Sequence, residues 1–565
     1  MDKELIRKYA LQNAVKFNGK ANQGAVIGKV LSEKPELKDQ LKDLIPSIQN
    51  IIKEVNKLGL DKQKSDLESI APGILEKKKE VIEKTLPELK DAKKGNVIMR
   101  FEPSPSGPLH IGHAYVLSLN SEFCRKYKGK LILRIGDTNS ENIYVPAYKM
   151  IPEDAKWLTN NNIHDIIIQS ERLELYYKYL EKLLDIGKVY VCTCDPEKFK
   201  ELIKKKVPCP CRELSNDEQR SRWKKMFKGY KKGDAVVRLK TDLNDKNPAM
   251  RDFPLFRIND SSHPKTKKKY RVWPLMNMAV AVDDIDTNVT HVIRAKDHQD
   301  NALRQKIIYQ YLGLEDKFPE ALFVGRINFE GMPVSCSKTR IAIDEGKYSG
   351  WDDIRLPFLP ALRKRGYQPG AFVKYAIDVG ISLTDKKVPK DEFFKSLNAF
   401  NKDVIDKKSS RYFFILDPVN ITVENAPDQS LTLDLHPENK KGGRSFKTDE
   451  RFYIAKEDKK KIKRGELYRL MDCLNFSLEK SKYRFDSLDY EKYKEQGKMI
   501  MHWLPVSKEL FDIKVLMDDN TKVKGLGETN LDGMKIGDII QFERFGFCRL
   551  EEKNKNKMLF YWLHK

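Results

Sequence analysis

Residues 1–94 repeat apolar side chains at helical spacing between charged ones. The stretch LKDLIPSIQNIIKEVNKL, residues 41–58, places Leu, Ile and Val three and four positions apart, with Lys and Glu between them. This spacing gathers the apolar side chains on one face of a helix. The pattern predicts a small all-helical appendage over residues 1–94.

From residue 95 the pattern changes to short apolar runs that alternate with helical stretches. NVIMRF, KLILRI and DIIIQ are such runs, and the alternation resumes later with MNMAVAVDDI and THVIRA. Short β-branched strands separated by helices are typical of a parallel sheet that is covered on both faces. The pattern predicts an α/β domain over residues 95–330.

A segment rich in Cys and Lys interrupts this alternation between residues 189 and 270. It includes CTCDPEKFKELIKKKVPCPCR and SSHPKTKKKY, which do not continue the strand and helix pattern. We interpret residues 189–270 as an insertion into the α/β domain.

Beyond the α/β domain, helical spacing continues over residues 331–407, and strands dominate over residues 408–565. RYFFILDPVNITV, QSLTLDLHP, ELYRLMDCLNFSL and MLFYWLHK are short apolar runs without intervening helices. Many short strands in succession favour β-barrels. The fold class is therefore multidomain α/β, with a helical connective domain and C-terminal β-barrels.

Composition favours nucleic acid as a partner and argues against a membrane-spanning protein. The 565 residues include 106 Lys and Arg against 82 Asp and Glu, a formal charge of +24 that is spread along the chain. Such a balance favours a polyanion, and nucleic acid first. No run of about 18 apolar residues is present, and the start, MDKELIRKYA, lacks the apolar core of a signal peptide. We expect a cytoplasmic protein that does not cross a membrane.

The stretch PSPSGPLHIGH, residues 103–113, joins the first predicted strand of the α/β domain to a helix. Its prolines hold the backbone extended, and the helix is expected to begin near His110. The free N–H groups at a helix start attract phosphate. His110 and His113 lie one turn apart, so both imidazoles face the same ligand. A lone pair of histidines is more often an ordinary surface or core feature, but the junction of strand, loop and helix favours a phosphate site.

Four of the eight cysteines are clustered in the insertion. Cys192 and Cys194 are separated by fourteen residues from Cys209 and Cys211. Two pairs of thiolates on tight turns can close a tetrahedron around Zn²⁺, and four cysteine ligands indicate a structural site. Free thiols are the alternative.

HIGH, residues 110–113, resembles the first signature of the class I aminoacyl-tRNA synthetases. Ser335-Cys336-Ser337-Lys338 is similar to the second signature, the KMSKS loop, in the form of archaeal-type glutamyl-tRNA synthetases. RIGDTN, THVIRAKDH, DPVNITV and LHPENKKGGR resemble the same family in order along the chain. The resemblance implies a Rossmann-type catalytic domain, an insertion that binds the acceptor end of tRNA, and barrels that bind the anticodon.

The resemblance also implies a set of residues for amino-acid activation with ATP and Mg²⁺. No protein nucleophile is required, because the protein positions the reactants and neutralises charge. His110, His113 and Lys338 would be catalytic, with Lys338 on a mobile loop over the pyrophosphate. The implied ATP site comprises His110, Gly112 against adenine, His113, Asp297 at the ribose, Ser337 and Lys338.

Glutamate is the amino acid that the resemblance implies. Arg100, Ser104 and Arg294 match the positions that hold the substrate, and Arg294 matches the arginine that pairs with the side-chain carboxylate in glutamyl enzymes. A planar guanidinium suits a carboxylate because it forms two hydrogen bonds and stays charged. The alternative is that Arg294 forms a structural ion pair with Asp283 or Asp284.

The chain departs from the family pattern at four positions. Ser335 replaces the first lysine of KMSKS, so backbone N–H groups or Mg²⁺ are expected to supply the missing positive charge. Gly136 stands where a glutamate binds the substrate amine in bacterial relatives, and Met276 and Val280 replace a tyrosine and an asparagine. Asp137 is the nearest alternative partner for the amine.

The predicted function is therefore ligation of glutamate to tRNA(Glu), with tRNA(Gln) open as a second acceptor. The implied protein is a monomer, and Arg411 is the candidate for an anticodon contact. Two alternatives are a glutaminyl-tRNA synthetase and a non-catalytic tRNA-binding paralogue. Arg294 argues against the first, and the intact histidines and Lys338 argue against the second.

Overall fold

The computed structural model describes residues 3–17, 19–38, 40–71 and 84–565, which divide into two compact units at residue 84. The helices described in the first unit are α1 (Lys3–Lys16), α2 (Gln23–Glu33), α3 (Leu41–Lys57) and α4 (Leu60–Ile70). Their apolar faces close on one core that includes Ile6, Ala14, Val55 and Leu67. The predicted helical character is confirmed for these four helices, and residues 72–83 of the predicted appendage lie outside the described residues. Its predicted end at residue 94 is wrong, because residues 85–94 contain no helix and belong to the second unit, where Leu89 is buried in an apolar core.

The second unit begins with a parallel sheet. Its first half contains β1 (Ile98–Phe101), α5 (Ile111–Lys126), β2 (Lys130–Ile135), α6 (Ala147–Leu158), β3 (Asp165–Ile168) and α7 (Leu173–Asp185). The chain then enters a four-stranded antiparallel sheet, β4-β5-β6-β7. This segment is built from β4 (Val189–Cys192), α8 (Pro196–Lys204), α9 (Asn216–Lys228), β5 (Val236–Leu239), β6 (Pro254–Ile258) and β7 (Val272–Pro274).

The parallel sheet is completed after this interruption. Its second half contains α10 (Met276–Asp286), β8 (His291–Ala295), α11 (Gln299–Tyr311) and β9 (Glu320–Val324). The strand order is β3-β2-β1-β8-β9, with every pair parallel. The order reverses direction between β1 and β8, and ligands of such sheets bind at this switch point, beyond the carboxyl ends of the strands. The α/β fold class is confirmed.

A helical region follows the parallel sheet. It contains β10 (Ile327–Glu330), α12 (Cys336–Asp344), α13 (Leu359–Arg365), α14 (Pro369–Val379), β11 (Lys386–Pro389) and α15 (Lys390–Ile405). Leu359, Phe372, Phe393 and Leu397 from its helices join the same core as β1 and α5. The helical region therefore shares one apolar core with the parallel sheet.

The C-terminal region consists of barrel-like β-sheets, as predicted. The first set of elements is β12 (Arg411–Tyr412), β13 (Phe414–Leu416), β14 (Pro418–Glu424), β15 (Gln429–His436), β16 (Asn439–Thr448), β17 (Arg451–Ala455), α16 (Lys456–Lys461), β18 (Leu467–Leu470), β19 (Asn475–Glu479) and β20 (Lys482–Ser487). The second set is α17 (Tyr490–Gln496), β21 (Gly497–Met501), β22 (Trp503–Pro505), β23 (Phe511–Leu516), β24 (Lys522–Gly527), β25 (Ile539–Phe542), β26 (Gly546–Asn554) and β27 (Lys557–His564).

These strands form two seven-stranded sheets and a separate hairpin. The sheet orders are β12-β25-β26-β27-β23-β24-β13 and β21-β18-β19-β20-β14-β17-β22, and β15 pairs with β16. The hairpin is tied to the first sheet by a buried ion pair, in which Nη2 of Arg444 lies 2.7 Å from the Glu528 carboxylate. Among the described residues of the whole chain, no helix is long and apolar enough to cross a membrane.

Candidate active site

The loop between β1 and α5 carries the two histidines, and each of them closes the start of the helix. His110 caps α5 with an extended backbone, and its Nδ1 accepts a hydrogen bond from the N–H of Gly112 at 3.1 Å. Nδ1 of His113 accepts from the N–H of His110 at 3.4 Å. Because Nδ1 is the acceptor in both rings, the proton of each neutral imidazole lies on Nε2. Each ring therefore retains one N–H donor for a ligand.

The two imidazoles stack on each other, and their environment keeps them uncharged. Their ring centroids are 3.8 Å apart with 24° between the planes. Burial lowers the pKa of His113 to about 4, and burial together with the neighbouring His113 lowers the pKa of His110 well below its ordinary value. Near neutral pH both imidazoles are therefore uncharged, so they can offer an anion hydrogen bonds but no positive charge.

The depressed pKa of His113 predicts a specific loss of stability in acid. The unfolded chain binds a proton at this histidine below pH 6.5, whereas the folded chain binds it only near pH 4. Between these values the unfolded state holds more protons, so stability falls as the pH falls. We expect His113 to contribute about 1–2 kcal/mol to the loss of stability between about pH 7.5 and about pH 5.

Thermal unfolding of the wild type and of His113→Asn at both pH values measures this contribution. The substitution removes the titrating group and keeps a hydrogen-bond acceptor near the position of Nδ1. Comparing the pH-dependent change within each protein removes any constant destabilisation by the substitution itself. Equal changes in both proteins would contradict a neutral, buried His113.

Gly112 is crowded by the ring that caps the helix. A Cβ at this position would lie 3.0 Å from Cε1 and 3.1 Å from Nδ1 of His110. Any larger residue would therefore displace the capping imidazole. The requirement for glycine has a local cause in the cap, and the contact of Gly112 with adenine stays a prediction.

Helix α12 lies directly against the loop that carries the histidines. Sγ of Cys336 is buried 3.9 Å from the carbonyl oxygen of Pro108, and a Cβ on Gly107 would be only 3.0 Å from that sulfur. Lys338 lies one residue beyond Ser337 in the first turn of α12, and both side chains are exposed. The helix that carries Lys338 therefore contacts the loop within two residues of His110.

The prediction that Lys338 lies on a loop is wrong in this structure. Ser335 adopts an extended backbone (φ −83°, ψ 111°) and residues 336–344 continue as helix. The buried Cys336 side chain fixes the first turn, because it joins Trp351 and Phe358 in a small apolar cluster. Phe358 is itself paired with His110 through their backbones. Both signature segments are thus held in one packed unit.

A cavity of about 550 Å³ opens beside the histidines at the carboxyl ends of β1, β2 and β8. Four residues predicted from the sequence line it: Arg100, Ser104, His113 and Arg294. Met276 and Val280, which depart from the family pattern, line it too. The structure therefore brings the predicted amino-acid residues together with one histidine of the predicted ATP site.

The floor of this cavity is a network of buried charges. Arg134 is 1 % exposed and donates from Nη1 to Asp284 and from Nη2 to Glu102, both at 2.7 Å. Nε of Arg100 donates to Asp284 at 3.2 Å. Burial opposes ionisation of Asp284, but Arg100 and Arg134 hold the pKa of this carboxyl below its ordinary value. The pairing offsets part of the cost of burying these groups inside the protein.

Arg294 is the least satisfied cation of the network. Its Nη2 lies 3.6 Å from Asp284, and its Nε is buried without a hydrogen-bond partner. Burial and the neighbouring Arg100 lower the pKa of this guanidinium to about 10. An arginine so placed gains from an anion that enters the cavity, because an unpaired buried donor is costly. The ion pair with Asp284 is present, but it leaves donors of Arg294 for a ligand.

Asp283 and Asp137, the other two aspartates considered from the sequence, lie outside the cavity lining and form hydrogen bonds with protein groups. Asp283 accepts hydrogen bonds from Arg172 and Tyr176. Asp137 accepts from the N–H of Ser170 at 2.7 Å and from the hydroxyl of Tyr148 at 2.6 Å, and it is 1 % exposed. The suggestion that Asp137 meets the substrate amine is therefore wrong, because its oxygens point into the protein and are satisfied there.

Asp297 lies outside the lining of the cavity. It is exposed in the short turn between β8 and α11, next to His298, which does line the cavity. The structure thus places Asp297 at the edge of the site, and its contact with ribose stays a prediction.

The four clustered cysteines converge at the end of β4. Sγ of Cys209 lies 3.6 Å from that of Cys192 and 3.2 Å from that of Cys194, and Cys194 lies 3.8 Å from Cys211. All four sulfurs are within 4.8 Å of one another. Burial opposes ionisation, but hydrogen bonds from Thr193 and Arg222 lower the pKa of Cys211 to about 7. This is a donor set that a soft divalent cation can bind.

Arg411 begins the first barrel strand, far along the chain from the cavity. Its Nη2 donates to Asp406 at 3.1 Å, and its Nε is buried without a partner. The side chain is 23 % exposed. The structure shows a local ion pair for Arg411, and its contact with an anticodon stays a prediction.

Sequence reasoning missed Glu102, Arg134 and the central role of Asp284. The available signal was a charged residue inside an otherwise apolar run, as in KLILRI and MNMAVAVDDI. Charged side chains in buried strands are nearly always paired. The partners could not be chosen, because the three residues come from distant segments.

Comparisons with known proteins match the chain domain by domain. The model of the catalytic domain of the class I (E and Q) tRNA synthetases matches residues 96–407. Models of the anticodon-binding domain of the same family match residues 409–493 and 485–551. Together these matches span the parallel sheet, the insertion, the helical region and the barrel strands as far as residue 551, within β26.

Curated relatives match the chain from end to end. A glutamate–tRNA ligase of Pyrococcus abyssi is 44% identical over 99% of both chains. One from Methanococcus maripaludis is 41% identical over 100% of both. Among solved structures, a glutamate tRNA ligase of Elizabethkingia meningosepticum in complex with its amino acid covers 56% of this chain and 70% of its own, with 18% identity and a TM-score of 0.40.

Proposed function

The chain belongs to the class I (E and Q) tRNA synthetases, and from this premise we propose how its residues ligate glutamate to tRNA. The activity is glutamate–tRNA ligation: ATP activates glutamate, and the glutamyl group is then transferred to the 3′ end of tRNA. The observation that carries the choice of amino acid is Arg294, a buried arginine that lines the cavity beside His113 and whose Nε has no hydrogen-bond partner. The glutaminyl and non-catalytic alternatives are not favoured.

Activation is an in-line attack of the glutamate α-carboxylate on the α-phosphorus of ATP, with pyrophosphate as the leaving group. The Nε2–H groups of His110 and His113 donate to phosphate oxygens near the start of α5. Because both imidazoles are neutral, they orient the triphosphate without adding charge of their own. Mg²⁺ bound to ATP supplies part of the positive charge. Asp297 would hold the ribose, and Gly112 the adenine.

Lys338 and the start of α12 act on the leaving group. Lys338 is exposed in the first turn of α12. We assign its ammonium to the β- and γ-phosphates of ATP. Ser335, the departure from KMSKS, begins this helix without a hydrogen bond from its side chain to the helix N–H groups. The free N–H groups of the first turn therefore replace part of the missing lysine charge.

The amino-acid site follows from the cavity. Arg294 pairs with the side-chain carboxylate of glutamate, and Arg100 and Ser104 complete the wall around the substrate. Glutamine carries no charge at this position, so it would leave the donors that Arg294 does not direct toward Asp284 without an anionic partner. The site thus rejects the neutral amino acid by leaving a buried cation unsatisfied.

The second step involves tRNA and uses the other parts of the chain. We assign residues 189–270, within the catalytic domain of residues 95–330, to the acceptor end of tRNA. The barrels of residues 408–565 are assigned to the anticodon, with Arg411 as a contact, and the segment of residues 331–407 connects the two regions. The appendage of residues 1–94 has no assigned ligand. We further propose a cytoplasmic monomer that acts on tRNA(Glu).

Transfer of radiolabelled glutamate to tRNA tests the proposal. Purified protein, ATP, Mg²⁺ and labelled glutamate are incubated with tRNA(Glu) or with tRNA(Gln), and labelled tRNA is precipitated. We expect labelling of tRNA(Glu) that an excess of unlabelled glutamine does not suppress. Labelling of tRNA(Gln) in the parallel reaction would identify tRNA(Gln) as a second acceptor. If labelled glutamine, supplied instead of labelled glutamate, were attached to tRNA and glutamate were not, the result would contradict the proposal.

We also propose that the four cysteines hold a structural Zn²⁺. Four sulfurs bound about 2.3 Å from a tetrahedral zinc lie roughly 3.8 Å from one another, and the three measured separations here are 3.2–3.8 Å. Thr193 and Arg222 donate to Cys211, as outer partners of a thiolate ligand do. When bound, the ion would join the end of β4 to the turn at residues 209–211.

Substitution of one cysteine should release the metal. We expect about one zinc ion per wild-type chain and less than about 0.2 in Cys209→Ser, since three thiolates bind the ion far more weakly. Elemental analysis of protein purified without added zinc measures this content. Cys473→Ser is the matched control, because Cys473 is buried in the barrels and away from the cluster. Zinc-free wild-type protein with an unchanged melting temperature on zinc addition would contradict the site.

A further inference from the structure

The charges of the cavity leave one group of the substrate without an evident partner. Glutamate carries two carboxylates and one ammonium, and the inference drawn here rests on the proposed function. Arg294 and Arg100 provide cations for the carboxylates. The ammonium requires an accessible carboxylate, because an isolated cation in a mostly buried site is costly.

Glu102 is the sole carboxylate among the described residues that line the cavity. Its side chain is 15 % exposed, whereas those of Asp283 and Asp284 are 0 % and 2 % exposed in the floor beneath it. Glu102 follows directly after β1, on the same side of the sheet as Ser104 and His113, which also line the cavity. A substrate ammonium therefore meets Glu102 before any other described carboxylate.

The two oxygens of Glu102 have different surroundings. Oε2 accepts from Nη2 of Arg134 at 2.7 Å and lies 3.6 Å from Nη1 of Arg100, so two guanidinium groups fix it. Oε1 accepts only a longer hydrogen bond, 3.3 Å, from the neutral amide of Gln169. The carboxylate is thus positioned by the floor of the cavity and keeps acceptor capacity on Oε1.

Gly136 provides the space for this carboxylate at the end of β2. A Cβ on Gly136 would lie 3.6 Å from Oε1 of Glu102 and 3.5 Å from Oε1 of Gln169. A longer side chain at residue 136 would extend into the place that the Glu102 carboxylate occupies. Glycine at residue 136 therefore leaves the space in which the Glu102 carboxylate lies.

We propose that Oε1 of Glu102 binds the α-ammonium of the substrate glutamate. The carboxylate reaches from the end of β1 across Gly136, while Arg134 holds its other oxygen in place. This contact fixes the α-carbon of glutamate, so that its α-carboxylate is directed toward the triphosphate held by the histidines. The preference for glutamate over a dicarboxylate of the same length that lacks the ammonium group therefore depends on this interaction.

Comparison of glutamate with glutarate isolates the contact, because glutarate has the same two carboxylates and lacks the ammonium. Glutamate-dependent exchange of labelled pyrophosphate into ATP, with tRNA present, gives the KM of glutamate and the inhibition constant of glutarate. We expect Glu102→Gln to raise the KM of glutamate by about 10- to 100-fold and to change the glutarate constant by less than about threefold. Equal weakening of both ligands would mean that Glu102 only supports Arg134, and it would overturn the assignment.

A second variant moves the carboxylate instead of removing it. Glu102→Ala combined with Gly136→Glu places a carboxylate in the same volume from β2. We expect this double variant to bind glutamate at least about tenfold more tightly than Glu102→Ala alone. A double variant that binds glutamate no better than the single one contradicts the proposal. Absence of glutamate-dependent exchange in the wild type would contradict the proposed function itself, which keeps the two failures distinct.

Discussion

Replacing Lys338 by alanine is expected to lower the rate of glutamate activation by about 100- to 1,000-fold, the usual effect of losing one group that stabilises developing charge. Negative charge accumulates on pyrophosphate as its bond to the α-phosphorus breaks. Lys338 is the lysine of the SxSK segment, whose first position is Ser335, so no second lysine of the signature compensates. The KM of glutamate should stay within about threefold, because Lys338 does not line the amino-acid cavity.

Single-turnover formation of glutamyl-adenylate measures this effect directly, with tRNA present. The matched control is Lys347→Ala, which removes an exposed lysine beyond α12 that is paired with Glu345 at 2.8 Å. Lys347→Ala should retain wild-type activation. A Lys338→Ala enzyme as active as this control would remove α12 from the catalytic machinery.

Replacing Arg294 by glutamine is expected to lower kcat/KM for glutamate by about 1,000-fold or more, because a site built to pair a charged group loses its partner. The substrate carboxylate would then be buried without a cation. The side chain of Arg294 is only 6 % exposed, so water cannot replace the lost charge. The preference for glutamate over glutamine should disappear in the same variant, since a neutral amide at position 294 suits either side chain.

Steady-state exchange kinetics with glutamate and with glutamine measure both effects. Arg326→Gln provides the control, since it removes an exposed arginine just beyond β9 and outside the cavity. If Arg294→Gln kept the wild-type preference for glutamate, the ion pair with Asp284 would be the whole role of this arginine. The control variant should match the wild type in both reactions.

Much of the fold is readable from the sequence because its patterns are local. The strands within NVIMRF and KLILRI are buried on both faces, and their mainly apolar character, with one internal arginine each, already indicates central parallel strands. The turn from β1 into α5 is marked by prolines and by His110, which does cap the helix. These features depend on neighbours within a few positions, which a single sequence displays.

The interior of the site depends on residues that are distant along the chain. Asp284 on α10 meets Arg100 on β1 and Arg134 on β2 only in the folded chain, because these residues lie 184 and 150 positions away from it in the sequence. Nothing in the spacing of these residues selects one aspartate of the pair 283–284 for the arginines and the other for Arg172. The sequence shows the charge of each residue, but it does not show which residue is its ion-pair partner.

Two local expectations failed for physical reasons of the same kind. Asp137 has the right charge for an amine, but Ser170 and Tyr148 occupy its oxygens. Lys338 was expected on a loop, yet burial of Cys336 against Gly107 stabilises a helical turn there. In both cases a tertiary contact overrides what the short segment alone suggests.

Activation of glutamate by ATP at the cavity beside His113 is the reaction in which the residues assigned to ATP and to glutamate take part. Exchange of labelled pyrophosphate into ATP, measured for the wild type with tRNA and with either glutamate or glutamine, tests it most directly. We expect exchange with glutamate to be at least about 100-fold more efficient than exchange with glutamine. No exchange with glutamate, or equal exchange with both amino acids, would contradict it.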